Sequence, residues 1–200
     1  MSGYRIHGDG VSGNCLKVKW TADLLGLPYE WIETGVLKGE TRTSEFRALN
    51  PAGQVPLLVT PKGKALAQSN AIILYLAEKH GGGLIPDKGF ARAKVYEWLF
   101  WEQYSHEPYI AVRRFHKTYL KRADEEIDPK LMERGLAALA RMEDQLTDET
   151  FIAGPAFTLA DIALVAYTRL AHEGGFDLNA YPKVRAWVAR VEKRLDLGAA

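Results

Sequence analysis

Residues Gly81-Gly82-Gly83-Leu84-Ile85-Pro86-Asp87 split this chain into two parts that are written differently. Three successive glycines and a proline cannot carry a helix or a strand through, so a domain boundary belongs there. Before it, short apolar runs switch between strand and helix periods. Tyr4 to His7 reads as a strand, and Leu16 to Leu25 as a helix closing near Gly26, with Pro28 blocking its continuation. Tyr29 to Glu33 alternates as a strand, Ser44 to Leu49 is a helical turn, and Val55 to Val59 is a strand entered through Pro56. Lys62-Gly63-Lys64 turns the chain into a last strand at Ala65 to Leu66, and Ala71 to His80 closes the half as a helix. This βαβ-then-ββα order is a thioredoxin-like pattern, with a parallel pair joined by a helix and an antiparallel pair joined by a turn.

After the break everything reads helical. Ala91 to Leu120 is one long helix or two broken at Pro108, and Lys130 to Leu146 is another. Thr158-Leu159-Ala160-Asp161 has the form of a capping box, with Phe157 and Ile162 at the staple positions of a buried helix. A final helix follows Tyr181-Pro182 and runs through Leu195. The expected fold class is α+β: a thioredoxin-like domain over 1–80, a linker over 81–87 and an all-helical domain over 88–200.

Lys plus Arg number 26 against 25 for Asp plus Glu, a balance that gives no reason to expect nucleic acid or an anionic membrane as partner. The first residues carry no apolar leader core and no run approaches a membrane span, so a cytoplasmic protein is expected. A single cysteine, Cys15, excludes an intrachain disulfide and a Cys-x-x-Cys dithiol mechanism. Any thiol chemistry must use Cys15 or a thiol brought in from outside.

Two segments together describe a receptor for a short peptide. In Gly53-Gln54-Val55-Pro56-Leu57-Leu58, the residue before the proline can offer its N–H and C=O to an extended ligand lying alongside. In Ala67-Gln68-Ser69-Asn70-Ala71-Ile72-Ile73, Gln68 and Ser69 stand at a helix start, where free N–H groups and the positive dipole end favour a carboxylate. A third segment, the glycine-broken turn from Gly8 to Asn14, leads from the first strand into the first helix and puts Ser12 where its side chain can face a ligand.

In this order and spacing, the segments resemble the glutathione site of the cytosolic glutathione transferases, and the resemblance covers nearly the whole chain. It implies a cis Val55-Pro56 bond, a γ-glutamyl carboxylate held by Gln68 and Ser69, and Gln54 reaching the ligand beside Val55. The turn is most similar to the Ser/Thr-type members, theta-like and related bacterial enzymes, which puts Ser12 in the role of thiolate stabiliser. The thiol of glutathione is like that of free cysteine, with a pKa of about 8.5, and its thiolate is the nucleophile. Lowering that pKa by about two units takes roughly 2.7 kcal/mol, the size of a charge-assisted hydrogen bond plus a helix N-terminus. Family members with Thr-x-Asn also use the Asn amide, and Ser12-Gly13-Asn14 keeps that spacing. Beta-like members use a cysteine that would fall on Asn14, so Cys15 is one residue out of register and reads as a small packed residue; Tyr4 reads as a core or strand-edge residue. A plain helix cap is the alternative reading of Ser12 and Asn14.

For the glycyl end of the tripeptide the resemblance points to Thr41 and the loop cation Lys38, with solvated loop charges as the alternative. The second substrate is expected on the first helix beyond the linker, with Tyr104, Ser105, His106, Tyr109 and Arg113 as the lining candidates, or else as ordinary packing. Arg113, Arg114, Lys117, Lys121 and Arg122 read as a solvated stripe. His106-Glu107 does not make a metal pair, because adjacent helical residues point in different directions, and no metal is expected. The resemblance further implies a homodimer, with Glu102 reaching a ligand's ammonium in the partner subunit. The expected activity is conjugation of glutathione, as co-substrate, to a small apolar electrophile. A glutathione-dependent peroxidase or disulfide reductase, and a non-catalytic glutathione-binding or scaffold protein of this fold, are the alternatives.

Overall fold

The computed structural model describes residues 3–198. The chain divides into two compact units at Ile85 and Pro86.

The first unit is built on a four-stranded mixed sheet in the order β2-β1-β3-β4. Strands β1 (Tyr4–Gly8) and β2 (Tyr29–Glu33) run parallel around helix α1 (Gly13–Leu24), whereas β3 (Leu57–Val59) pairs antiparallel with β1 and with β4 (Ala65–Ala67). Helix α2 (Ser44–Leu49) precedes β3, and α3 (Ser69–His80) follows β4. Along β1 the side chains alternate: Tyr4 and Ile6 are buried, Arg5 is exposed, and His7 meets the Phe46 ring of α2 edge-on at 5.8 Å. The face carrying Ile6 is sealed by Val18 of α1 and by Ile72, Ile73 and Leu76 of α3, each no more than 1% exposed. On the other face Phe46 packs with Leu57 and Val59. Gly8, the last residue of β1, has to be glycine because a Cβ there would lie 2.3 Å from the Trp31 ring.

In the second unit, α4 (Gly89–Trp101) runs through a π-helical segment, Glu102–His106, into α5 (Glu107–Thr118); α6 (Pro129–Gln145), α7 (Leu159–Thr168) and α8 (Pro182–Arg194) complete it. Helix α7 is buried along its whole length, as its unbroken run of apolar and small residues requires. Its start is a capping box. Asp161, fully buried, accepts the Ile152 N–H (2.9 Å) and the Trp187 ring N–H (2.8 Å) on one oxygen, and the Thr158 N–H (2.8 Å) and hydroxyl (3.2 Å) on the other. Burial pushes this carboxyl above the ordinary range against the pull of those donors. Glycine is required at 135 in α6, where a Cβ would meet the Phe176 ring at 2.4 Å.

Several boundaries differ from the sequence reading, with α1 beginning at Gly13 instead of Leu16. The long helix is interrupted not at Pro108, which sits in the first turn of α5 where its missing N–H costs nothing, but by the π-helical segment before it. Strand β3 begins at Leu57 instead of Val55. Helix α3 begins at Ser69 instead of Ala71, because Gln68 takes the cap position. No helix among the described residues is long and apolar enough to cross a membrane.

Candidate ligand site

Three segments of the first unit build the site. The loop before β3 is held from within. The Asn50 amide donates to the Gln54 carbonyl at 2.7 Å and its oxygen accepts the Ala52 N–H at 3.3 Å, while the Gly53 N–H closes onto the Asn50 carbonyl at 2.9 Å. Gly53 has φ +62, and a Cβ there would press to 3.1 Å from the Thr41 carbonyl. The Val55–Pro56 bond is cis. Val55 is half-buried and outside any strand, and neither its N–H nor its C=O meets a partner among the described residues. An amide pair offered in this way recognises another extended backbone.

The second segment is the start of α3. Gln68 caps the helix with φ 73 and ψ 113, an uncommon conformation for a side-chain-bearing residue, and its side chain makes no cap bond and is exposed. The backbone thus aims Gln68 outward above the helix N-terminus. Ser69 is 5% exposed, and its hydroxyl donates to the Asn14 amide oxygen at 3.0 Å. This bond joins the start of α3 to the start of α1.

The third segment is the turn from β1 into α1. Asp9 accepts the Val11 N–H at 3.2 Å and the Val36 N–H at 3.1 Å, and Glu33 accepts the Gly10 N–H at 3.0 Å and the Trp31 ring N–H at 2.8 Å. Those bonds hold Glu33 below the usual carboxylate range. Ser12 is the N-cap of α1; its carbonyl accepts the Cys15 and Leu16 N–H groups, its hydroxyl makes no cap bond, and it is half-buried. Cys15 is fully buried, and burial pushes its thiol up to about 11 although the Ser12 hydroxyl works in the opposite direction. A buried thiol of that acidity is a packing residue at neutral pH. Tyr4 is likewise core, its hydroxyl taken by Lys79 and His80, each at 2.8 Å.

Several sequence candidates stand elsewhere. Thr41, in a 3₁₀ turn, is 3% exposed, so its side chain is packed and not presented to a ligand, whereas Lys38 is exposed in the preceding loop. His106 is fully buried with its Nε2 2.9 Å from the Thr168 hydroxyl, and so belongs to the helical core and not to a pocket lining. Arg113, expected on a solvated stripe or in a pocket, is buried; it donates to the Gly174 carbonyl at 2.8 Å and pairs with Asp124. Its neighbour Arg114 is buried against Glu173. Glu102 is fully buried and accepts from Gln103 at 2.8 Å, which withdraws it from the surface a partner subunit would use. Tyr104 is 83% exposed and Tyr109 half-buried. Of the residues that organise the site, the sequence reading missed Asp9, Glu33 and Asn50. The Asn-Pro-Ala-Gly turn at 50–53 was the available signal for the last.

Two family models match the chain: the glutathione S-transferase N-terminal domain over residues 11–79 and the glutathione S-transferase C-terminal domain over residues 98–194. Glutathione S-transferase theta-1 of Rattus norvegicus is 32% identical over 198 residues, covering 92% of this chain and 80% of that protein. The crystal structure of a glutathione S-transferase from Pseudomonas fluorescens is 47% identical, with a TM-score of 0.91 over 96% of this chain and 95% of that one. A glutathione transferase homologue from Drosophila mojavensis, crystallised with bound glutathione, is 27% identical, with a TM-score of 0.86 over 96% of this chain and 89% of that one.

Proposed function

The chain belongs to the glutathione transferase family, and on that premise we propose that its first unit binds glutathione and activates the thiol for attack on a small apolar electrophile. Val55 holds the cysteinyl backbone through its N–H and C=O, with Gln54 beside it. Gln68 and Ser69, at the N-terminus of α3, hold the γ-glutamyl carboxylate, and Lys38 serves the glycyl carboxylate. Ser12, at the N-terminus of α1, donates its hydroxyl to the sulfur, and Asn14 sets the distance between the two helix starts. The observation that carries this reading is the 3.0 Å Ser69–Asn14 bond, which ties the start of α3 to the start of α1. The bound glutathione of the Drosophila mojavensis homologue supports the ligand. The electrophile rests against the exposed aromatic Tyr104 and the half-buried Tyr109 of the helical unit, and the protein works in the cytoplasm as a homodimer.

Replacing Gln68 and Ser69 together with alanine removes bonds to a charged group worth about 1.5 to 3 kcal/mol each. The glutathione dissociation constant should rise tenfold or more by calorimetry while circular dichroism is unchanged. Wild-type affinity in the folded double variant would sink the assignment. Turnover of an aryl halide, set against a hydroperoxide and a mixed disulfide, identifies the reaction class.

A further inference from the structure

At the ends of β1 and β2, two carboxylates cross between the turn that follows β1 and the loop that follows β2. The Thr34 N–H donates to the Gly8 carbonyl at 2.8 Å, just past the paired residues of the two strands. From there side chains take over in both directions: Asp9 of the turn accepts the Val36 N–H of the loop at 3.1 Å, and Glu33 of β2 accepts the Gly10 N–H of the turn at 3.0 Å. Asp9 is also bonded into its own turn, where its second carboxylate oxygen accepts the Val11 N–H at 3.2 Å and its carbonyl accepts the Ser12 N–H at 3.0 Å. Val36 carries the loop, because its carbonyl accepts the Gly39 N–H at 3.1 Å and closes the turn 36–39 that holds Lys38. The Lys38 stem lies across Gly35, where a Cβ would press to 3.2 Å from its Cδ. Ser12 and Lys38, distant in the chain, are thus connected through Asp9 and Val36 by a short run of hydrogen bonds.

Burial does not hold this loop, since Val36 is 44% and Leu37 61% exposed. The straps add little stability either, because water competes for an exposed carboxylate and for the N–H groups it accepts. What one carboxylate bonded to two segments does fix is their spacing. On the glutathione reading, the turn bears the hydroxyl that meets the sulfur and the loop bears the cation that meets the glycyl carboxylate. The spacing then decides whether both ends of the tripeptide can be met at once. The charge of Asp9 has the wrong sign to assist a thiolate, as its unfavourable field at the Cys15 thiol shows. A contribution to the reaction must therefore come from geometry.

We propose that Asp9 is a positioning residue that sets the spacing between the Ser12 turn and the Lys38 loop, so that capture of the glycyl carboxylate places the sulfur at Ser12 and the enzyme selects the whole tripeptide over γ-glutamylcysteine. This rests on the assignment of Ser12 and Lys38 to glutathione above. Binding energy from a remote part of a substrate is here used to orient the reacting atom. Asp9→Asn keeps the local bond to Val11 with its one acceptor oxygen and turns an NH2 toward the Val36 N–H, which cuts the strap. Asp9→Ser keeps a weaker form of the turn bond, is too short to reach Val36, and carries the same comparison if the asparagine variant does not fold.

Conjugation of an aryl halide is measured on the alkaline plateau, where the thiol is fully ionised, with glutathione and with γ-glutamylcysteine. The wild type should use the dipeptide with a kcat about tenfold lower, because a truncated substrate loses kcat as well as KM. Asp9→Asn should lower kcat for glutathione about tenfold and leave kcat for γ-glutamylcysteine within about twofold of wild type. Lys38→Ala should do the same, and the double variant should be no slower than either single one. A purely structural role would slow both thiols in parallel, and that result overturns the proposal, as does a wild-type kcat in Asp9→Asn or full additivity in the double variant. If the wild type uses both thiols equally and Lys38→Ala leaves glutathione affinity by calorimetry unchanged, the glycyl assignment fails and takes this proposal with it. A wild type that discriminates, with that discrimination intact in Asp9→Asn, overturns this proposal alone.

Discussion

The buried carboxylate of Asp161 accepts four hydrogen bonds, and its replacement allows a worked prediction. Each of its oxygens accepts two donors: Ile152 N–H and the Trp187 ring N–H on one, Thr158 N–H and hydroxyl on the other. Asp161→Asn keeps the shape but supplies a single acceptor oxygen, so the amide NH2 must confront one pair of donors. If it faces Thr158, the hydroxyl can rotate and accept, but the Thr158 N–H is stranded. One orphaned buried N–H costs about 1 to 3 kcal/mol, and the surviving bonds lose their ionic character, for a total of about 3 kcal/mol. Asp161→Ala strands all of the N–H donors and opens space, and should cost about 5 kcal/mol. Trp187→Phe removes one donor with its acceptor still satisfied and should cost about 1 to 2 kcal/mol. Urea denaturation followed by circular dichroism and tryptophan fluorescence measures the series, which should rank alanine, asparagine, then Trp187→Phe. An asparagine variant within about 0.5 kcal/mol of wild type would refute the reasoning, because it would mean the box is satisfied without an anion.

Two further outcomes are expected. With its thiol pushed up to about 11 and its side chain fully buried, Cys15 should be alkylated by iodoacetamide at pH 8 at least about a hundredfold more slowly in the native protein than after denaturation; comparable rates by mass spectrometry would contradict its assignment to the core. At Gln68, whose φ of 73 glycine adopts freely, Gln68→Gly should raise the unfolding free energy by up to about 1 kcal/mol in urea denaturation while weakening glutathione binding severalfold, and a variant that loses stability would show that the side chain, not the backbone, governs the position.

Most of the architecture was legible because local chemistry and global fold agree. The glycine run, the proline-led strand and the Thr158–Asp161 box each have a single physical reading, and the elements fall within a few residues of those readings. The sequence signal was weaker where a residue's role depends on what folds against it. Nothing in a run of helical period distinguishes Glu102, His106 and Arg113 from exposed polar residues; the π-helical segment and the contacts with Thr168 and Gly174 bury them, and those are tertiary facts. Thr41 is placed at the ligand by the resemblance alone, and the turn folds it inward. The burial of Lys17 has no signal in the sequence, since a period that places Val18 in the core gives no reason to expect its neighbour there as well.

The link between Ser69 and Asn14 also bears on how such a chain can drift. Two positions fifty-five residues apart are joined by one hydrogen bond, so neither can be exchanged in a descendant without leaving the other's hydroxyl or amide to find a new companion. Lineages should therefore change them together or keep both, while Ser12, whose side chain takes no part in that bond, is free to be exchanged for another hydroxyl on its own. On the proposed assignment, chemistry at the sulfur can diversify within this fold while the grip on the peptide's acid end stays fixed.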